Sequence, residues 1–114
     1  KEIAPKISSG TQVRQYLNAK DLGYLLKRIV IDDNLEKGIY NFPWTDTINV
    51  KELVNKCLTI TSSDISPKFG EIKKRDESMK HLALNAEKLL INIPDWHPVF
   101  SLEKGILSYL DEKD

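Results

Sequence analysis

The sequence predicts an α/β fold, because short strand-like segments alternate with amphipathic helices along its 114 residues. Apolar residues recur with helical spacing in 21–32 and again in 50–58. Segments 39–42 and 65–72 instead have the alternating pattern of strands. The predicted order is strand, helix, strand, helix, strand, short helix, helix, within a single unit spanning 1–114.

The first predicted elements lie in residues 10–22, which read Gly-Thr-Gln-Val-Arg-Gln-Tyr-Leu-Asn-Ala-Lys-Asp-Leu. Gly10 opens a turn, a short strand carrying Arg14 follows, and Asp21 is predicted to cap the next helix. A guanidinium presents planar, paired donors, so an arginine in this position is suited to bind a phosphate. The alternative is a surface arginine paired with a nearby carboxylate, which contributes about 0–1 kcal/mol.

Two long helices and a strand follow. The first helix is predicted over 21–32, and its stripe consists of Leu22, Leu25, Leu26, Ile29 and Val30. Residues 39–42 are predicted to form a short buried strand that ends at a proline. Asn49 with Glu52 three residues on forms an Asn variant of the capping box, so the second helix is predicted to begin there.

The C-terminal part of the chain predicts an edge strand and two further helices. Residues 65–72 alternate loosely around Pro67 and Gly70, as an edge strand does. Asn85 is predicted to cap a short helix that ends before Pro94, and Ser101 to cap the last helix. Gly105 lies inside that last helix and weakens it by up to about 1 kcal/mol relative to alanine.

Composition excludes several classes of function. With 17 basic and 17 acidic residues the net charge is zero, so no long-range field favours nucleic acid or an anionic membrane. Cys57 is the only cysteine, which leaves no internal disulfide and too few thiols for a zinc site, and a reducing cytoplasm is expected. His81 and His97 lack further ligands at metal-binding spacing. No apolar run is long enough to span a membrane.

Four segments in order resemble the C-terminal part of extended short-chain dehydrogenase/reductases, the NAD-dependent epimerases and dehydratases of nucleotide sugars. Residues 10–22 resemble the family's Gly-x-Gln-x-Arg-Asp-Tyr-Ile-x-Val-x-Asp-Leu, and 38–41 its Gly-x-Tyr-Asn strand. Residues 75–88 resemble Arg-Pro-Gly-x-x-Arg-x-x-x-x-Asp-x-x-Lys. Residues 95–98 and 101–106 resemble Gly-Trp-x-Pro and Ser-Leu-Glu-Glu-Gly-Ile. The resemblance spans roughly residues 7–110.

The resemblance implies binding residues but no catalytic ones. Arg14 would contact the diphosphate of a nucleotide sugar, and Arg75 would make a second phosphate or ribose contact. Tyr16, Asn41 and Trp44 would form pocket walls, with Trp44 stacking on a base or sugar. The alternatives are a solvated charge run around Arg75 and a turn-capping role for Asn41.

Departures from the family pattern keep other interpretations open. Gln15 stands where the family usually has Asp, residues 42–44 replace a Gly-rich turn, and 76–77 replace a Pro-Gly pair. The substrate side is therefore altered or degenerate. Tyr16 and Lys20 have Tyr-x-x-x-Lys spacing, but they fall within the matched strand, where Tyr16 is a wall residue.

The resemblance also implies what the rest of the protein would contain. The family's dinucleotide-binding Rossmann half is missing here, so NAD or NADP would bind in the parent protein and no cofactor in this fragment. The chain begins without methionine, as a truncation would. An apolar face that met the Rossmann half would then be bare, which predicts self-association. The alternatives to a substrate-binding part of the enzyme are a non-catalytic interaction module and a degenerate nucleotide-binding relative.

Overall fold

The computed structural model describes residues 3–42, 46–73 and 79–112 as an α/β arrangement of very short strands and longer helices. The strands are β1 (Lys6–Ile7), β2 (Val13–Arg14), β3 (Ile48–Asn49) and β4 (Lys68–Phe69). The helices are α1 (Ala19–Ile31), α2 (Val50–Ile60), α3 (Glu87–Asn92) and α4 (Leu102–Asp111). The predicted α/β class is confirmed.

Two separate strand pairs replace a continuous sheet in the described residues. β1 pairs in parallel with β4, and β2 pairs antiparallel with β3, with Val13 opposite Asn49. Residues 80–82 run along the other side of β2, where the Val13 amide donates to the Lys80 carbonyl at 2.7 Å. β2 is therefore hydrogen-bonded on both sides, which fixes the backbone that carries Arg14.

The caps of α2 and α4 follow the sequence prediction, whereas those of α1 and α3 differ from it. The complete capping box of Asn49 and Glu52 is present on α2, and Ser101 accepts from the Lys104 amide at the start of α4. The cap of α1 is Asn18, which accepts from the Lys20 amide at 2.8 Å. The prediction that Asp21 caps this helix is wrong, because the helix begins earlier and Asp21 already lies within its first turn.

The first turn of α2 is bound to the turn at Gly10. The amides of Val50 and Lys51 donate to the carbonyls of Gln12 and Gly10 at 3.1 and 3.0 Å. Gly10 has φ +71°, and a Cβ there would lie 2.9 Å from the Lys51 nitrogen. Only glycine combines this left-handed backbone with such a close approach. The first amides of α2 are therefore used within the fold.

The predicted strand over 39–42 is wrong. No strand is assigned to these residues, and Ile39 is 89% exposed. Tyr40 and Phe42 pack against the core, and the Tyr40 hydroxyl donates to the Glu36 carbonyl. A strand needs a neighbouring strand for its backbone groups, and none of the described residues supplies one here. The predicted edge strand in 65–72 is present as the two residues of β4.

The buried core is small for the length of the chain. Among the described residues it consists of Leu25, Leu89 and Ile93, with Trp96 among the side chains packed on it. The radius of gyration is 17.2 Å, whereas a compact domain of this length has about 13 Å. The accessible surface is 8544 Å², against about 6,400 Å² for a compact monomer of this mass. The chain is thus a flat slab with much of its apolar surface uncovered.

In the described parts of the chain, none of the helices combines the length and the apolar character that crossing a lipid bilayer requires.

Candidate functional site

Arg14 lies at the end of β2 with its backbone fixed and its side chain half-buried. Its Nη1 donates to the Val13 carbonyl at 2.7 Å. No acidic side chain of residues 3–42, 46–73 or 79–112 forms an ion pair with Arg14. The described residues therefore provide no carboxylate that neutralises Arg14. Its guanidinium retains N–H donors for an anion.

Gln15, the residue that departs from the family pattern, has a structural role. Its Oε1 accepts from the Leu84 amide at 2.7 Å and so continues the contact between β2 and residues 80–82. A carboxylate oxygen at this position would accept the same bond. Glutamine in place of the family's Asp therefore still holds the end of β2 to residue 84.

Tyr16 lies at the meeting of two grooves and is 37% exposed. The first, of about 330 Å³, is mostly apolar and lies between residues 16–18, α2 and α4. Its walls include Cys57, Phe100 and Tyr109. We call it the aromatic groove.

The second groove beside Tyr16, of about 460 Å³, is lined by charged side chains of both signs. Asp46, Glu52 and Glu103 face a single cation, Lys56, which pairs with Glu103. The hydrogen bond from Lys56 lowers the pKa of Glu103, so this carboxylate is charged at neutral pH. An excess of negative charge disfavours a phosphate here. We call it the acidic groove.

Asp21 is a functional candidate whose role differs from the predicted capping of α1. It is 2% exposed, and its two carboxylate oxygens accept from the amides of Val99 and Phe100 at 2.8 and 3.0 Å. A buried carboxylate requires such donors. The next residue, Ser101, caps α4, so Asp21 fixes the entry into that helix. No sequence signal links residues this far apart.

Gly105 allows α4 to approach the start of α1. A Cβ at this position would lie 3.3 Å from Asn18 Nδ2. The glycine inside α4 is therefore explained by close packing at the same joint that Asp21 holds. Both grooves are lined by Ser101 and Leu102 from this joint.

Asn41 is exposed, and its Nδ2 donates to the Asn85 carbonyl at 3.2 Å. The Asn85 side chain accepts from the Glu87 amide at 2.7 Å, but the N-cap of α3 is Ala86, so the prediction that Asn85 caps this helix is wrong by one residue. Asn41 thus ties its segment to the residues just before α3.

Of the predicted binding residues that the structure describes, Arg14 and Asn41 line neither the aromatic groove nor the acidic groove. Of these residues only Tyr16 lines either the aromatic or the acidic groove. Arg75 and Trp44 lie outside the described residues, so their predicted roles stay predictions.

Lys20 does not form a catalytic pair with Tyr16. Its Nζ donates to Glu112 at 2.6 Å and lies 5.8 Å from the centre of the Phe100 ring. The hydrogen bond to Glu112 raises the pKa of Lys20, which keeps it a cation. A lysine that activates a tyrosine would instead direct its charge at the phenol. In the described residues, no group of three or more His, Cys, Asp and Glu side chains could hold a metal.

The fold of the chain is similar to that of three solved enzymes. UDP-glucose 4-epimerase from Thermotoga maritima, solved with UDP-glucose, has a TM-score of 0.75 at 22% identity, covering 96% of this chain and 35% of the enzyme. dTDP-glucose 4,6-dehydratase from Bacillus anthracis, solved with NAD, has a TM-score of 0.73 at 23% identity, covering 96% and 34%. RMD from Pseudomonas aeruginosa, solved with NADPH, has a TM-score of 0.78 at 15% identity, covering 100% and 37%.

No protein-family model and no curated protein matches the chain significantly. The predicted resemblance to nucleotide-sugar epimerases and dehydratases is confirmed as a likeness of fold. The chain spans about 35% of the length of the epimerase it matches.

The residues of the chain do not fit the pyrophosphate of a dinucleotide cofactor. Such a site needs glycines two and three residues apart after a strand. No two of the five glycines here are closer than Gly10 and Gly23, and the N-terminal amides of α2 are bound to Gly10 and Gln12. The glycine spacing of this chain therefore does not match that of a dinucleotide-binding turn.

Proposed function

We propose that this chain is the substrate-binding part of an NAD(P)-dependent nucleotide-sugar epimerase, dehydratase or reductase. The observation that carries the proposal is the likeness of fold to an epimerase solved with UDP-glucose, over nearly all of this chain. The four sequence segments that resemble this family support it independently. The Rossmann half, the cofactor and the catalytic residues lie, in this proposal, outside these 114 residues.

Arg14 is the proposed ligand of the diphosphate. A strand hydrogen-bonded on both sides gives its side chain a fixed origin, and the guanidinium has no acidic partner among the described residues. Paired N–H donors match the oxygens of a phosphate in number and geometry. Arg75 is the proposed second phosphate or ribose contact.

The remainder of the ligand would extend from Arg14 towards Tyr16. Two extended residues span about 7 Å, which is the scale of one sugar ring beyond a phosphate. The negative charge of the acidic groove disfavours a phosphate there, so the diphosphate is assigned to the Arg14 side and the neutral part of the ligand to Tyr16. Asn41 and Trp44 are the other proposed walls.

In this proposal the chain supplies binding energy rather than reacting groups. Holding the nucleotide at a distance from the reacting carbon orients that carbon, and such remote contacts lower the barrier of the chemical step. A single cysteine fits a reducing compartment, and we place the enzyme in the cytoplasm, in carbohydrate biosynthesis.

The test is calorimetric titration of the full-length protein with UDP-, dTDP- and GDP-sugars. Arg14→Ala removes a charge-assisted contact, so we expect affinity for the preferred ligand to fall by about 2 kcal/mol, or about 30-fold. Arg14→Lys keeps the charge but not the paired donors, and should restore only part of the affinity.

Arg28→Ala is the matched control, because it also removes an arginine. Arg28 is engaged with Asp95 through both of its terminal nitrogens, away from β2. This variant should bind nucleotide sugars as the unaltered protein does. Unchanged affinity of Arg14→Ala for every nucleotide sugar that the unaltered protein binds would refute the assignment of Arg14.

A further inference from the structure

We infer that Asp21 is a positioning residue that sets the width of the aromatic groove and thereby controls binding against Tyr16. The part of this inference that concerns nucleotide sugars rests on the proposed function. The part that concerns the groove does not.

Asp21 is the one charged side chain that is buried among the described residues. No cation pairs with it in that part of the chain, so the amides of Val99 and Phe100 compensate its charge. Because Asp21 lies in the first turn of α1, the positive end of the helix dipole also stabilises its negative charge. Because both oxygens are used, the carboxylate holds two consecutive peptide groups and fixes the orientation of the backbone as well as its distance.

The held backbone leads directly into the groove wall. Phe100 and the next two residues, Ser101 and Leu102, line the aromatic groove together with Tyr16. Loss of the bonds from Asp21 would free the Val99 and Phe100 peptide groups to rotate, and with them the aromatic side chain of Phe100. Misplacement of a binding wall by about 1 Å is enough to cost a large factor in affinity or rate.

The groove contains its own reporter. Cys57 lines it from α2, is half-buried, and is the only cysteine of the chain. Its alkylation by iodoacetamide therefore reports access to this groove, provided any other cysteine of the full-length protein is replaced by serine. This measurement needs no nucleotide, so it tests the groove separately from the proposed function.

The variant is Asp21→Asn in the full-length protein, since an amide keeps one acceptor and loses the other. We expect Cys57 to be alkylated about threefold faster, and the preferred nucleotide sugar to bind about 10-fold more weakly. Asp21→Ala should show larger changes in both.

The control is a core variant of equal thermal midpoint, chosen from Leu89→Ala and Ile93→Val. These side chains are buried in the core and line neither groove. Because they lower stability without touching either groove, they should leave both the Cys57 rate and the affinity unchanged if the effect of Asp21 is local.

Equal Cys57 rates and equal affinities for Asp21→Asn and its core control would overturn the inference. If no nucleotide sugar binds even to the unaltered protein, the proposed function fails and the Cys57 rates alone decide the role of Asp21. If the Asp21 variants do not fold, hydrogen exchange of the unaltered protein decides instead. The Val99 and Phe100 amides should then be protected, and fast exchange of both would overturn the inference.

Discussion

The two ends of α1 differ in what covers them, although one apolar stripe runs along the whole helix. Near its start, Asp21 and Leu25 are buried, and the N-terminal turn is tied to α4 through Asn18 and Asp21. Near its end, Val30 is 79% exposed and Ile31 is 71% exposed. The helix is thus well packed in its first half, whereas its last two residues are largely exposed.

The difference shows what a periodic stripe means physically. The spacing of apolar residues indicates which face of a helix is to be removed from water, but it does not identify the partner. At the start of α1 the partner is α4 and the core. At its end Ile29 still packs against the core, but Val30 and Ile31 are mostly exposed, as is expected if another part of the protein packs there.

The largest expected effect comes from comparing Leu25→Ala with Val30→Ala in the 114-residue chain. Leu25 is fully buried, so its truncation should lower the free energy of unfolding by about 3 kcal/mol. Val30 is exposed, and its truncation should change that free energy by less than about 0.5 kcal/mol. Urea denaturation measures both.

The same pair of variants sharpens the comparison in the full-length protein. A Val30→Ala cost that rises above about 0.5 kcal/mol there indicates that another segment covers the end of α1. Equal costs for Leu25 and Val30 in the 114-residue chain would contradict the difference between the two ends.

A smaller effect is expected from Gly10→Ala, which changes the turn that is bound to the first turn of α2. A Cβ at Gly10 would meet the Lys51 backbone at 2.9 Å and would force a left-handed residue to carry a side chain. We expect a loss of about 2 kcal/mol or more in the free energy of unfolding. Gly70 is the control, because it has φ +83° with nothing within 4 Å of its would-be Cβ.

Gly70→Ala should therefore show the backbone strain alone, about 1 kcal/mol. If Gly10→Ala and Gly70→Ala cost the same by chemical denaturation, the close approach of the Gly10 turn to α2 does not contribute to stability.

The smallest effect is expected from acid, acting on the ion pair of Arg28 and Asp95. The hydrogen bond from Arg28 lowers the pKa of Asp95 below its ordinary 3.8. The pKa of Asp95 is lower in the folded protein than in the unfolded chain. The ion pair therefore stabilises the fold fully at pH values above the unfolded pKa, and this stabilisation is lost as the pH falls through the folded pKa. The thermal midpoint of the unaltered protein should exceed that of Asp95→Asn at about pH 7, and this difference should vanish by about pH 2. A difference that persists at pH 2 would assign the effect to packing instead of charge.

The helices and the caps of α2 and α4 could be predicted from the sequence because their determinants are local. Asn49 and Glu52 act across three residues, and Ser101 acts on the amide three residues away. The stripe of α1 likewise repeats within neighbouring turns. Such interactions are present in any short window of the chain.

Contacts between distant residues could not be predicted in this way. The Asp21 carboxylate was assigned to a cap because Asp is common there, whereas its real partners lie 78 and 79 residues further on. The segment 39–42 has strand-forming residues, but strand formation also needs a neighbour with free backbone groups. The sequence pattern of the segment does not show whether such a neighbouring strand exists.

The candidate site was predictable in part for the same reason. Arg14 was placed on a strand, and β2 carries it there. That Tyr16 lies between two grooves depends on how α2 and α4 pack, which no single segment encodes. The roles of Arg14, Arg75, Asn41, Tyr16 and Trp44 as ligand contacts stay predictions.

The bond from Asp21 to the residues before α4 also limits how the gene can be cut or recombined. A chain shortened to end before Val99 would lose both amide donors and leave the Asp21 carboxylate without its two hydrogen-bond partners. The segment that contains residues 99–100 and α4 is therefore needed to complete the hydrogen bonds of Asp21. A chimera with a related enzyme would need its crossover placed so that Asp21 and the 99–100 peptides come from the same parent.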